Sequence, residues 1–204
     1  MTKIFLFDID KVLVHAPGYG ANHTLEEAGL DVSWKEDFFR DFYKDCQRGT
    51  VDIKEVLSPY LEKAGWKKSV EAFLRSWFVY EHHPDTALLD FIQTLRAKGL
   101  PCIINSDQEP NRKQYILEEM NFKHLFDAFY FSCDIGYLKQ DVKRFEIVYD
   151  DIVKQFGAIK KEEIFYIDDQ EENVSIAKEF GMDAIVYESS EKVIQEINNR
   201  IEHR

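Results

Sequence analysis

Two aspartates near the start of the chain have the residue type and spacing for nucleophilic, acid–base or metal chemistry. Asp8 and Asp10 lie at the end of a short apolar run, residues 4–7, that is typical of a buried parallel strand. Open parallel sheets bind ligands at the carboxyl ends of their strands, which is where this pair would lie. An Asp-x-Asp pair also arises by chance, so its meaning depends on the residues at the ends of the other strands.

Further polar residues come at the ends of later apolar runs. Ser106 follows the second predicted strand, and Lys139 lies a few residues beyond the third. The pair Asp168 and Asp169 follows the fourth. If these strands are neighbours in one sheet, the polar side chains converge on a single crevice.

Together these residues could transfer a phosphoryl group. Mg²⁺ prefers oxygen ligands, and Asp8 and Asp169 can supply carboxylates. Asp8 can attack phosphorus, and Asp10 can protonate the leaving-group oxygen and later activate the water that breaks the aspartyl-phosphate. Ser106 can donate a hydrogen bond to a phosphoryl oxygen, and Lys139 can neutralise charge on the transferred group.

The elements that must position these residues are strands that alternate with helices. The predicted strands cover residues 4–7, 100–105, 129–132, 164–167 and 184–187. The predicted helices between and after the later strands cover residues 84–98, 110–120, 142–156, 171–180 and 190–201. This alternation indicates an α/β fold with a Rossmann-like, doubly wound parallel sheet.

The stretch between the first two strands breaks this alternation. Residues 19–83 show helical periodicity with aromatic stripes, which we expect to pack as a core, and they contain no convincing strand. Ser33 is a candidate N-cap, and Gly65 is a candidate helix end. We therefore expect a core domain formed by residues 1–18 and 84–204 and a small all-α domain inserted between them.

The composition excludes several classes of protein. The chain of 204 residues carries a net charge of −12 and no basic run, which makes general nucleic-acid binding a poor hypothesis. No apolar run approaches the length that spans a membrane, and the first residues do not form a signal-peptide pattern. Three widely spaced cysteines argue against a disulfide framework or zinc site and favour a reduced, cytoplasmic protein.

Four segments in order resemble the four motifs of the haloacid dehalogenase superfamily. They span nearly the whole chain, and their sequences are FDIDKVL, IINSDQ, GYLKQD and FYIDDQEENV. The resemblance implies that Ser106 and Lys139 bind the substrate phosphate. The helical insert resembles the C1-type cap of this family, which closes over the site. Residues 47–50 weakly resemble a turn in the caps of the sugar-phosphate and FMN-phosphatase-like branch.

The resemblance also implies roles for the acidic residues. It makes Asp8 the nucleophile and a metal ligand, and it makes Asp10 the acid/base, whose backbone carbonyl also faces Mg²⁺. Of the pair in the fourth motif, Asp169 would touch the metal directly, with Asp168 close behind it. Dehalogenases of this family lack an acidic residue at the position of Asp10, so its presence favours phosphate chemistry.

The chain departs from the family pattern at three positions. Lys11 stands where glycine is usual, so it must adopt a strained backbone unless the loop differs. We expect its side chain to point into solvent, with contact to the substrate as the alternative. Gln140 replaces a proline that would stiffen the chain beside Lys139. Asp107 stands where asparagine is common, and its carboxylate would repel an anion unless it points away.

The leading hypothesis is Mg²⁺-dependent hydrolysis of a small phosphorylated metabolite. A phosphomutase or phosphotransferase would need the same residues, and a catalytically silent binding protein on the same fold is an alternative from another class. The sequence leaves open the substrate, the oligomeric state and the roles of four further residues. These are Asn173 and the histidines at the two hinges of the insert, His15, His82 and His83.

Overall fold

A five-stranded sheet forms the centre of residues 2–202, the part of the chain that the computed structural model describes. Its strands are β1 Ile4–Phe7, β2 Cys102–Ser106, β3 Ala128–Phe131, β4 Ile164–Asp168 and β5 Asp183–Val186. The order across the sheet is β3-β2-β1-β4-β5, and all neighbours pair in parallel. The predicted α/β fold is confirmed; residues 1 and 203–204 of the expected core lie outside the described residues.

Helices fill the connections between these strands. Between β1 and β2 lie α1 Gly20–Glu27, α2 Lys35–Phe38, α3 Lys44–Gln47, α4 Ile53–Ala64 and α5 Val70–Tyr80, followed by α6 Thr86–Ala97. The later helices are α7 Pro110–Glu118, α8 Ser132–Ile135, α9 Val142–Phe156, α10 Glu171–Phe180 and α11 Ser190–Glu202. Within residues 2–202, no helix is both long enough and apolar enough to cross a bilayer.

The central strand β1 is apolar throughout because both faces of the sheet are covered. Phe5 and Phe7 pack into one hydrophobic cluster with α6 and α11, whereas Ile4 and Leu6 pack into a second cluster with α9 and α10. All four side chains are fully buried. Burial of each contributes roughly 1.5–3 kcal/mol to folding, so the element that precedes the Asp-x-Asp pair is strongly held.

The second helix of the insert begins differently from the prediction. Ser33 does not cap a helix: α2 follows Trp34, and the Ser33 hydroxyl donates instead to Asp31 Oδ2 at 2.7 Å. The amide of Ser33 also donates to this carboxylate, at 2.9 Å, so Asp31 forms a local turn that removes Ser33 from the helix end. A π-helical turn, Phe39–Tyr43, then joins α2 to α3.

The insert is docked on the core through close approaches around the end of α3. The side chain of Gln47 donates from Nε2 to the carbonyl oxygen of Asp107 at 3.0 Å. Gly49, two residues later, lies so close to α8 that a Cβ there would meet the carbonyl oxygen of Cys133 at 2.5 Å. Only glycine permits this backbone approach, so the end of α3 is held against the core.

Replacing Gly49 with alanine is expected to destabilise the protein more than the same change at Gly99. Both glycines have a positive φ, 73° and 75°, but a Cβ at Gly99 would meet nothing within 4 Å. The strain of the left-handed backbone, about 1–2 kcal/mol, is therefore common to both variants. The clash with Cys133 is expected to add roughly 1–3 kcal/mol at Gly49 alone. Urea denaturation measures the difference, and equal losses would show that the insert is not held in this way.

Candidate active site

The strand order brings the predicted site residues together. Because β1 lies between β2 and β4, the residues at the ends of these three strands are neighbours at one edge of the sheet. A cavity of about 190 Å³ opens at this edge. Five of the six predicted site residues line it: Asp8, Asp10, Ser106, Lys139 and Asp169.

A buried lysine lies between two of the carboxylates. Lys139 Nζ is 2.8 Å from Asp8 Oδ2 and 2.7 Å from Asp168 Oδ2. Burial raises the pKa of Asp8 to about 7, although the ammonium of Lys139 acts in the opposite direction. Burial also acts to lower the pKa of Lys139, but the carboxylates of Asp8 and Asp168 outweigh it and hold that pKa above its usual value. Lys139 therefore carries a positive charge in the cavity.

Asp168 is held by donors on both of its oxygens. Oδ2 accepts from Lys139 Nζ and from the hydroxyl of Tyr166, and Oδ1 accepts from Gln170 N at 2.8 Å and Asn173 Nδ2 at 3.0 Å. Burial tends to raise the pKa of Asp168, but Lys139 and the other donors bring it below its usual value. Its carboxylate is thus ionised and fixed in direction. Asn173, left open by the sequence, orients Asp168.

Three acidic residues provide carboxylate ligands that suit a divalent cation. Carboxylate oxygens of Asp8, Asp168 and Asp169 lie within 4.8 Å of one another. Carboxylate oxygen is the donor type that Mg²⁺ prefers, so the residues fit the metal expected from the sequence. The carboxylate of Asp10 is not part of this group. The role expected for Asp10 uses its backbone carbonyl and stays a prediction.

Lys11 adopts the unusual backbone that its position requires. Its φ is 61°, in the left-handed region where glycine is favoured, and its amide donates to the carbonyl of Val14 at 2.8 Å. The side chain was expected to point into solvent. It is largely exposed, but it also lines the cavity, and Nζ lies 3.3 Å from Asp169 Oδ2. Lys11 therefore belongs to the site rather than to the outer surface alone.

Two residues that contact Asp10 were not found from the sequence. The side-chain amide of Gln108 donates to Asp10 Oδ2 at 2.7 Å and to Ser106 Oγ at 3.1 Å. Arg112, which is 3% exposed, places Nη2 3.7 Å from Asp10 Oδ1 and 3.6 Å from Glu81 Oε2. Both residues follow β2, but their sequence positions do not indicate which carboxylate they contact, so only the fold reveals these contacts.

The insert completes one wall of the cavity. Lys44 and Gln47, both on α3, line it together with residues of the core. The hinge histidines, in contrast, are not among the described residues that line it. His15 contacts the hydroxyl of Tyr187 through Nε2, and His82 contacts the hydroxyl of Tyr115 through Nδ1. Among the described residues of the insert, the side chains that line this cavity are thus those of α3.

Comparison with known proteins adds a family match and a set of similar folds. A family model described as haloacid dehalogenase-like hydrolase matches residues 2–181 of the chain. No curated protein matches the chain at a significant level. Three similar solved structures share 17–20% of their residues with the chain, and at this identity the likeness shows a common fold.

The three structures match most of the chain. A HAD family enzyme from Bacteroides thetaiotaomicron, in complex with magnesium and inorganic phosphate, has a TM-score of 0.78 at 19% identity, over 92% of this chain and 95% of that chain. A predicted HAD-like family hydrolase from Porphyromonas gingivalis has a TM-score of 0.79 at 20% identity, over 98% of both chains. L-2-haloacid dehalogenase from Xanthobacter autotrophicus has a TM-score of 0.64 at 17% identity, over 97% and 82%.

Proposed function

The chain belongs to the haloacid dehalogenase-like hydrolases, and from this membership we propose that it hydrolyses small phosphate monoesters in a Mg²⁺-dependent reaction. The observation that carries the proposal is that Asp8 and Asp10 line the same cavity as Ser106 and Lys139. Two carboxylates beside a hydroxyl and an ammonium can attack, protonate and bind a phosphoryl group. The size of the cavity, about 190 Å³, favours a small metabolite such as a sugar phosphate or a portion of an FMN-like molecule.

In this reaction Asp8 is the nucleophile. Its carboxylate oxygen attacks phosphorus, the bond from phosphorus to the leaving-group oxygen breaks, and Asp10 gives its proton to that oxygen. Asp10 then takes a proton from water, which attacks the aspartyl-phosphate and releases phosphate and the free Asp8 carboxylate. Gln108 and Arg112 orient the carboxylate of Asp10 for both steps.

The remaining residues of the cavity bind the phosphoryl group. Ser106 donates its hydroxyl to a phosphoryl oxygen, and Lys139 offsets negative charge on the transferred group. Mg²⁺, held by Asp8 and Asp169, would supply further charge that offsets the repulsion between the nucleophile and an anionic phosphate. The insert acts as a cap in this proposal, because Lys44 and Gln47 line the cavity that would hold the substrate.

The first test is release of phosphate from p-nitrophenyl phosphate and from a panel of metabolite phosphates in the presence of Mg²⁺. We expect release from p-nitrophenyl phosphate and faster release from one class in the panel. Analysis of the organic product distinguishes hydrolysis from transfer to a sugar hydroxyl, which would require the same residues. If no compound in the panel loses phosphate or isomerises, the proposed activity is wrong.

Replacing Asp10 with asparagine is expected to affect formation and hydrolysis of the aspartyl-phosphate differently. The p-nitrophenolate leaving group needs little protonation, so the first step with p-nitrophenyl phosphate is retained. The second step needs a base, so it slows by about 10²–10⁴-fold. Stopped-flow absorbance should therefore show a burst of about one equivalent of nitrophenol, whereas acid-quenched samples with an alkyl phosphate should show no burst of released alcohol. Asp134→Asn, at an exposed aspartate outside the cavity lining, is the control. Unchanged steady turnover in Asp10→Asn would remove Asp10 from the mechanism.

A further inference from the structure

Arg144 on α9 is fully buried. Its guanidinium donates hydrogen bonds to β2, to β3 and to the loop before Lys139. Nε and Nη2 donate to Asn105 Oδ1 at 2.9 and 2.7 Å. Nη2 also donates to the carbonyls of Tyr130 at 2.9 Å and Ser106 at 3.2 Å, and Nη1 donates to the carbonyl of Tyr137 at 2.8 Å. A buried cation is tolerated where its donors are satisfied in this way.

These acceptors belong to the segments that present the phosphate-binding residues. Asn105 and Ser106 form the carboxyl end of β2, and Tyr130 lies near the carboxyl end of β3. Tyr137 lies two residues before Lys139 in the loop that delivers the ammonium. The guanidinium of Arg144 therefore connects the strand that carries Ser106 with the loop that carries Lys139.

Asp107 adds a second connection between the same segments. Its Oδ2 accepts a hydrogen bond from the backbone amide of Lys139 at 3.1 Å, and its Oδ1 lies 3.5 Å from Arg144 Nη1. The carboxylate that stood out in the sequence as unfavourable to an anion is thus directed at an amide and a guanidinium. Asp107, directly after β2, therefore connects this strand to the backbone of Lys139.

The loop around Lys139 needs such a restraint. Gln140 replaces the proline that would stiffen this loop, and the side chain of Lys139 must remain between Asp8 and Asp168. We propose that Arg144 and Asp107 are positioning residues that fix Ser106 and Lys139 relative to each other and thereby set the affinity of the site for a phosphoryl group. This role depends on the proposed function, since it concerns the phosphate subsite of that reaction.

A purely structural role would change stability without changing phosphate affinity, so both quantities must be measured. The variants are Asp107→Ala, which removes both contacts, Asp107→Asn, which can still accept from Lys139 N, and Arg144→Lys, which keeps the charge but reaches fewer acceptors. Asp134→Ala is the matched control, because Asp134 is a half-exposed aspartate that pairs with Lys113 outside the cavity lining. Inorganic phosphate is the probe, as an inhibitor of p-nitrophenyl phosphate hydrolysis and as a ligand in calorimetry with Mg²⁺.

Asp107→Ala is expected to weaken phosphate inhibition by about tenfold, the size expected for loss of a hydrogen bond to a charged group. Asp107→Asn should weaken it less, Arg144→Lys should weaken it by about as much as Asp107→Ala, and Asp134→Ala should not change it. Thermal unfolding verifies that each variant is folded at the assay temperature.

Two outcomes would overturn the inference, and they differ from each other. If wild type hydrolyses p-nitrophenyl phosphate but folded Asp107→Ala and Arg144→Lys bind phosphate within twofold of wild type, the positioning role is wrong and the proposed function stands. If wild type neither hydrolyses p-nitrophenyl phosphate nor binds phosphate with Mg²⁺, the proposed function fails and the positioning role fails with it.

Discussion

Asp8→Asn is expected to abolish turnover while the fold stays intact. An amide of the same shape keeps the packing at the end of β1, but its oxygen cannot attack phosphorus. The loss of a covalent nucleophile typically lowers turnover by at least about 10⁴-fold. Hydrolysis of p-nitrophenyl phosphate measures the loss, and circular dichroism with thermal unfolding tests the fold.

A second measurement makes this result specific to the covalent mechanism. Wild-type protein quenched in acid during turnover should carry one phosphate on Asp8, detectable by mass spectrometry, and Asp8→Asn should carry none. The control is Asp31→Asn, at an aspartate of the insert that lies outside the cavity lining. Normal turnover in Asp8→Asn, or a phosphate on another residue of the wild type, would reject Asp8 as the nucleophile.

Removal of divalent cations is expected to stop the reaction. Asp8, Asp168 and Asp169 place carboxylate oxygens within 4.8 Å of one another, and an anionic substrate brought to this group would meet strong repulsion without added positive charge. Loss of the metal contribution, several kcal/mol, corresponds to at least about a 10³-fold decrease in rate. The measurement is phosphate release after thorough treatment with EDTA and again after addition of excess Mg²⁺.

The Mg²⁺ dependence of a variant should also show whether Asp169 is a ligand of the metal. Asp169→Asn is expected to raise the Mg²⁺ concentration needed for half-maximal activity by at least about tenfold. Asp183→Asn is a suitable control, because Asp183 begins β5 and pairs with Arg200 outside the cavity lining. Full activity after chelation would exclude a metal from the reaction, and an unchanged Mg²⁺ requirement in Asp169→Asn would exclude that residue as a ligand.

The strands were predictable because burial on both faces of the sheet requires a continuous run of apolar residues. A strand covered on both faces must be apolar throughout, and residues 4–7 form β1 as expected. The boundaries of the later strands differ from the predicted ones by one or two residues. The second strand was expected to begin at residue 100 but begins at Cys102, since Pro101 lacks the amide that a ladder requires. The π-helical turn Phe39–Tyr43 was not predicted, because apolar periodicity assumes a regular helix.

The site residues also fall into two groups: those whose place follows from the local sequence, and those whose place depends on contacts with distant parts of the chain. Asp8, Ser106 and Asp168 were predictable because each lies at the end of a strand, and neighbouring strands end at one edge of the sheet. Gln108 and Arg144 were not, because their roles consist of contacts with segments far away in the chain. Gln108 meets a carboxylate 98 positions away, and Arg144 meets Asn105 39 positions away. Only the folded chain shows such pairs.

The two ends of the insert are neighbours in the structure. Val14 forms an antiparallel bridge with Pro84, and the amide of His15 donates to the carbonyl of His83 at 2.9 Å. A helical segment of another length could be spliced between these points without parting the strands of the sheet, at little cost in loop-closure entropy. The residues proposed as nucleophile, acid/base and phosphate ligands all lie outside that segment. Evolution, or a grafting experiment, can therefore exchange the side chains that the insert contributes to the cavity while the residues of the proposed phosphate chemistry are inherited unchanged.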